Sequence, residues 1–254
     1  MREFLLMLLF LMSMHLSAQE TSDKEFIFDS SITQQYGNSF KDIISVMADY
    51  YQGVEYADGE KLDKSFHTSW YMRDNDGTEN MFIHLEDKPT FIKRVIDHGN
   101  YEGYASHRKI GAIEVIHDQL AFVRIDKAPT RSATLFFLAQ IDGEWKIIDK
   151  LWVYQEEDYQ PLPSKDLLSS IENASLDQNL DSGFDSKLLS GNGYKVATAS
   201  QIVDHEIKLV SILSVYDRLA IVRTDYPALN TTGYFVLFRL AEGWKVACER
   251  ISKR

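Results

Sequence analysis

A single cysteine, Cys248, stands in a chain of 254 residues, so no internal disulfide can form and packing alone must hold the fold together. Cys248 lies in a strand-like stretch, 244–251, with no nearby histidine to activate it, and reads as a small buried hydrophobe rather than a nucleophile. Basic residues are outnumbered: 27 Lys and Arg face 38 Asp and Glu, a net charge of −11. A surface of that sign repels phosphate backbones and anionic lipid. No basic stripe interrupts it, so neither nucleic acid nor an acidic membrane is an expected partner. His67, His84, His98, His107, His117 and His205 show neither helical pairing nor the His-Cys spacing of zinc sites. The acidic runs Asp74, Asp76, Glu79 and Asp177, Asn179, Asp181 lack the glutamate that completes a calcium loop. Gly191 and Gly193 open no phosphate-binding fingerprint, and no Gly-x-Ser-x-Gly elbow occurs. No metal and no cofactor is expected.

What the chain does have begins with a leader. Arg2 precedes an apolar run at 4–12, and the small residues Ser17 and Ala18 precede Gln19, the order of a secretory signal peptide. The run is well short of the ~20 residues that span a bilayer, so the expectation is a cleaved signal at 1–18 and no membrane anchor afterwards. The product would be exported, periplasmic or secreted. A polar lead-in at 19–38 then precedes the first regular element.

Ser39 can cap a helix in which Phe40, Ile43, Ile44, Met47, Tyr50, Tyr51 and Val54 recur at three- and four-residue spacing. A short helix is expected over 59–67, strands over 70–73 and 81–85, and a third helix starting at Asp87 with Pro89 in its first turn. From residue 107 the pattern turns to strands over 110–116, 120–125, 133–141 and 145–154, separated by turn residues. Helices followed by an antiparallel meander describe an α+β domain at 39–155 with helices on one face of its sheet. A linker is expected at 156–164, where Pro161 and Pro163 interrupt the pattern.

An offset of 99 positions superposes two segments without a gap. Asp118, Leu120, Ala121, Val123, Arg124 and Asp126 meet Asp217, Leu219, Ala220, Val222, Arg223 and Asp225; Phe136, Leu138, Trp145 and Lys146 meet Phe235, Leu237, Trp244 and Lys245. The matches keep the two-residue period of both strands and so assign side chains to the same sheet face. Residues 165–254 are thus expected to be a truncated second unit. One short helix, from Leu167, Leu168 and Ile171, is all its sequence offers as a lid, so its sheet needs cover from the first unit or from another chain.

The run Tyr51, Gly53, Asp58, Leu62, Phe66, His67 resembles the first-helix signature of the NTF2-like superfamily. Asp76, Gly77, Phe91, Val95 and the closing Asp142, Gly143, Trp145, Lys146, Ile147 resemble its lumazine-binding, SnoaL-like branch. The resemblance implies a cone of helices against a strongly curved antiparallel sheet with a pocket inside, followed by the degenerate second α+β unit. It does not fix a function, since the superfamily holds isomerases, dehydratases and non-catalytic binding or association modules. Members commonly carry proline after that histidine and alanine two positions on; this chain has Thr68 and Trp70, and an indole there can fill the cavity.

The ligand-lining candidates are Tyr50, Tyr51, His67, Trp70, Tyr71 and Phe82, an aromatic set suited to a flat molecule. The catalytic candidates are His67, a proton carrier near neutral pH, and Asp149, read on the strand face of Trp145, Ile147 and Leu151 where burial would raise its pKa. Arg124 with Asp126, and Arg223 with Asp225, each two apart on one face, read as a repeated structural ion pair. The reading is a non-enzymatic exported protein that binds a small apolar or aromatic molecule or a protein partner. The alternatives are an isomerase or dehydratase using Asp149 or His67 as base, and an association module forming a homodimer through the sheet face.

Overall fold

A computed structural model of the chain describes residues 37–74, 86–127, 132–154, 185–190, 193–197, 208–215, 219–240 and 243–253. The leader, nearly all of the lead-in, the 156–164 linker, the strand at 81–85, the helix around Leu167 and both acidic loops beyond Asp74 lie outside the described residues. Asn38–Arg254 is one compact unit.

Helix α1 (Asn38–Glu55) buries Ile43, Met47, Tyr50, Tyr51 and Val54, the face that the apolar spacing demands. Helix α2 (Gly59–Ser65) crosses it closely. A Cβ on Gly53 would stand 2.7 Å from Leu62 Cγ, so only glycine allows that approach without a shift. Asp58 caps α2 by accepting the Glu60 and Lys61 amides at 3.0 and 3.1 Å. The helix stops before Phe66, which is extended at φ −99° and ψ 144°. The helix expected to reach His67 is therefore two residues shorter. Phe66 and His67 instead open β1 (Phe66–Asp74), whose parallel pairing sets Phe66 opposite Ile147. After β2 (Glu86–Asp87), Asp87 caps α3 (Lys88–His98) by accepting the Thr90 amide at 2.9 Å, and Gly99, at φ +79°, ends it.

Strands β3 (Arg108–Ile116), β4 (Leu120–Lys127), β5 (Ser132–Ile141) and β6 (Glu144–Tyr154) form the expected antiparallel meander. The full order is β2-β1-β6-β5-β4-β3. The sheet is not wholly antiparallel, because β1 arrives from the helices rather than from a hairpin and lies parallel to β6. Register shifts at Gly111 in β3 and at Ile148 in β6 bend the sheet around the helices.

Six more strands follow: β7 (Asp185–Ser190), β8 (Gly193–Ala197), β9 (Lys208–Val215), β10 (Leu219–Tyr226), β11 (Thr231–Leu240) and β12 (Gly243–Lys253). Their order, β8-β7-β12-β11-β10-β9, repeats that of the first sheet position by position, and β7 is again parallel to the last strand. The bulge recurs as well. It falls between Phe137 and Leu138 in one sheet and between Val236 and Leu237 in the other, 99 residues on. Among the described residues this second half holds no α-helix.

The first sheet is covered on both sides. Helices take its inner face, where Tyr50 meets Phe136 at 5.1 Å between ring centroids. The second sheet takes its outer face in a core that joins Leu120, Phe122, Leu135 and Phe137 to Leu219, Ile221, Tyr234 and Val236. Tyr234 sits 6.1 Å from Phe122 and 5.7 Å from Phe137, and such ring pairs each add about 0.5–1.5 kcal/mol beyond their buried area. The cover that the second sheet requires thus comes from the first unit.

Candidate functional site

The inner face of the first sheet carries the one arrangement that packing does not explain. Phe137 is opposite Asp149 and Leu138 opposite Ile147, so Ile148 is the extra residue of a bulge. A bulge reverses the in–out alternation of the strand beyond it. Past Ile148 the sequence runs one step out of phase, and Lys150, opposite the cone residue Phe136, turns inward. Only 5 % of its surface remains exposed.

Inside, the Lys150 amine lies 4.9 Å from the centroid of the Phe91 ring and 5.4 Å from that of Tyr50. Among the described residues no carboxylate or carbonyl pairs with it. Lys88, the other buried lysine, is treated differently: its Nζ reaches Asp63 O at 2.8 Å, Phe66 O at 3.1 Å and the Asp63 carboxylate at 2.8 Å. A cation over aromatic faces recovers about 0.5–2 kcal/mol. Desolvating it costs several, so Lys150 is held at a net cost. Burial pushes its pKa below the ordinary lysine value, and repulsion from Arg94 and Arg108 adds to that, against the opposing pull of Tyr104 and Glu86.

The turn between α3 and β3 closes this end of the cone. Its backbone is tied to α1 by the Tyr101 amide on Glu55 O at 3.0 Å. From it Tyr104, half-buried, brings its hydroxyl to 3.3 Å from that of Tyr50. Arg108 donates to the Tyr104 carbonyl and stacks its guanidinium 3.6 Å from the Tyr104 ring centroid. Arg94 is committed to Glu86 through two parallel bonds of 2.8 Å each. Burial by itself would raise the Tyr104 pKa. The charges of Lys150 and Arg108 and the Tyr50 hydrogen bond outweigh it, and the phenol lies below its ordinary value. Tyr50 and Tyr51 go the other way, raised first by burial. Buried Lys150, half-buried Arg108 and exposed Arg94 against Glu86 make this end of the cone positive in a protein of net charge −11.

The structure gathers Tyr50, Tyr51 and Trp70 of the expected lining into this cone. Trp70 is fully buried against Phe66 at 4.2 Å and Phe91 at 5.1 Å between centroids, filling the deep end as its position suggested; its buried Nε1 has no hydrogen-bond partner. His67 is partly exposed and opens β1 beside Phe66, at the start of a register shift against β6. Tyr71 is registered opposite Asp149, and Phe82 lies outside the described residues.

Asp149 is not on the face of Trp145 and Ile147. The Ile148 bulge turns it to the outer face, where it is ion-paired with Arg250 of β12, the two side chains 1 % and 0 % exposed. The Arg-Asp pair does not recur either. Arg124 holds Asp126 at 3.0 Å over Gly111, whereas Arg223 crosses to Glu114 of the first sheet at 2.8 Å and Asp225 accepts from Thr232 at 2.6 Å. An open groove of about 510 Å³ between α2 and α3, lined by Asp63, Thr68, Lys88, Pro89, Ile92 and Ile96, is set apart from the cone, and its lysine is already satisfied.

Sequence reasoning missed Lys150, Tyr104, Arg108 and the Glu86–Arg94 pair. The signal for Lys150 was the adjacent apolar pair Ile147-Ile148, which breaks strict alternation and marks a bulge.

A bulged sheet, a helical cover on its inner face and an inward-facing polar residue define a cone-shaped α+β class of domain. Residues 38–153 match the model of the family described as "Putative lumazine-binding". That segment is the one that builds the cone described above. Among solved structures, an NTF2-like protein of unknown function from Shewanella baltica OS155 is 18% identical, over 46% of this chain and 94% of that one, with a TM-score of 0.39. One from Silicibacter pomeroyi DSS-3 is 15% identical, over 45% and 93%, at 0.38. An NTF2-like protein from Cytophaga hutchinsonii ATCC 33406 is 18% identical, over 46% and 99%, at 0.32. A search of curated proteins finds no match.

Proposed function

We propose that this is an exported, non-enzymatic NTF2-like protein that binds a small flat aromatic molecule carrying an acidic group, held in the cone against Lys150. The observation that carries the reading is the buried amine of Lys150, faced by two aromatic rings and paired with no acceptor among the described residues, while Lys88 nearby has three. An aromatic acid supplies what is lacking: a ring to lie among Tyr50, Phe91 and Phe136, and an anion for Lys150 and Arg108. Export is supported by the leader pattern at 1–18.

The second half is read as a truncated copy that keeps the sheet and, among the described residues, has no α-helix. Its shared strand order and the bulge at an offset of 99 support this. Its role in this reading is to cover the outer face of the first sheet, the surface that a homodimer would otherwise use. The isomerase reading has less support, since Asp149 is spent on Arg250.

Native mass spectrometry of the protein purified from its source reads both stoichiometry and a retained small molecule. Titration with benzoate and 4-hydroxybenzoate, followed by calorimetry, should show binding by the wild type and none by K150M. Equal binding by both proteins would overturn the reading.

A further inference from the structure

We propose that Lys150 captures an aromatic aldehyde bearing an acidic substituent as a covalent imine inside the cone. This rests on the cone being a ligand site. It goes further in assigning a bond-forming role to a side chain that simple anion binding would use only as a charge.

A lysine amine reacts with a carbonyl carbon only when its lone pair is free, and most buried lysines are disqualified because carboxylates or carbonyls hold them as ammonium. Lys88 is such a lysine. Lys150 is not: aromatic faces at 4.9 and 5.4 Å are its near neighbours, and among the described residues nothing accepts a hydrogen bond from it. Its surroundings also favour the neutral form, through burial first and then through the Arg94 and Arg108 charges. Arg108, its guanidinium 3.6 Å from the Tyr104 ring centroid, is the cation assigned to an acidic substituent on the ring, with the aldehyde end toward the amine. Tyr50, Phe91 and Phe136 supply the ring contacts.

The reaction balances without an oxidant or reductant. The neutral amine adds to the carbonyl carbon, forming the C–N bond as the carbonyl π electrons move to oxygen. That oxygen takes a proton from the Tyr104 phenol, and the nitrogen returns one to the phenolate. The nitrogen's remaining proton then passes through the same phenol to the carbinolamine hydroxyl, which leaves as water as the nitrogen lone pair closes the C=N bond. Tyr104, half-buried and hydrogen-bonded to the Tyr50 hydroxyl at 3.3 Å, is the phenol assigned to this transfer, since the Tyr50 ring also lies 5.4 Å from the Lys150 amine.

The test uses the full mature chain with 4-formylbenzoate and cyanoborohydride, read by intact mass and peptide mapping. The expected result is one adduct, a gain of the aldehyde less one oxygen atom, mapped to Lys150 before any surface lysine is labelled, and lost in K150R. Y104F should form it more slowly. Labelling spread over surface lysines or the N-terminal amine overturns the proposal. Because the mapping is done on the wild type, a K150R protein that fails to fold does not remove the test. Binding of 4-(hydroxymethyl)benzoate, which has no carbonyl, is measured alongside. If that alcohol binds and the aldehyde leaves no adduct, the imine is excluded and the ligand site stands; if neither occurs, both fail.

Discussion

Arg250, in the last strand of the chain, and Asp149, in the last strand of the first sheet, form an ion pair sealed between the two sheets, with 0 % and 1 % of their side chains exposed. Neither charge can be rescued by water if its partner goes. Breaking a buried pair from one side costs about 3–5 kcal/mol, whereas replacing both partners by apolar residues of similar size is often neutral or better. D149L and R250M should each lower the midpoint of urea unfolding strongly, and the double variant should recover most of the loss. Equal losses in the singles and their sum in the double would mean that the pair is not the origin of the effect.

The second cross-sheet pair, Arg223 with Glu114 at 2.8 Å, keeps 27% and 24% side-chain exposure, and water screens it in part. R223M should therefore cost only about 1 kcal/mol or less by the same unfolding measurement. A loss matching that of R250M would contradict this ranking.

Lys150 lies in the fold at a net cost, so K150M should unfold at higher denaturant, by about 1–3 kcal/mol, the range for relieving a buried polar group without a partner. The pH dependence has a definite sign. Because the folded pKa is depressed, the unfolded chain binds more protons at pH values between the folded pKa and the ordinary lysine value near about 10.4. Wild-type stability should rise relative to K150M as pH climbs through that window, and the full cost should be present below it. A difference that is flat with pH would show Lys150 to be unperturbed.

Gly233 of β11 has no room for a methyl group: a Cβ there would stand 2.5 Å from the Arg250 carbonyl oxygen, a backbone atom that cannot swing aside. G233A should destabilise by about 1–3 kcal/mol, the usual cost of overpacking. At Gly111 the obstructing atoms belong to the Asp126 and Arg124 side chains. G111A should be tolerated better, and thermal unfolding of the two variants checks the order.

The chain should sediment as a monomer, because its own second sheet occupies the outer face of the first. A stable dimer at micromolar concentration that survives R250M would point to a different surface.

Much of the architecture was legible because it depends on period. The faces of α1 and α3 and the four-strand meander follow from regular alternation. The site was legible only in its aromatic part. Tyr50, Tyr51 and Trp70 are placed by helix and strand periodicity, while Lys150 is placed by the bulge at Ile148 that resets it. The same slip moved Asp149 from the pocket to the sheet interface. Tyr104 and Arg108 belong to a turn and a strand start, tied by contacts to α1 that no local pattern announces.

Having both sheets on one chain also changes how the interface answers to concentration. Separate subunits come apart on dilution, but two halves of one polypeptide remain neighbours at an effective concentration set by the connecting segment. A protein released into a large external volume would keep the back wall of its cone however dilute it became.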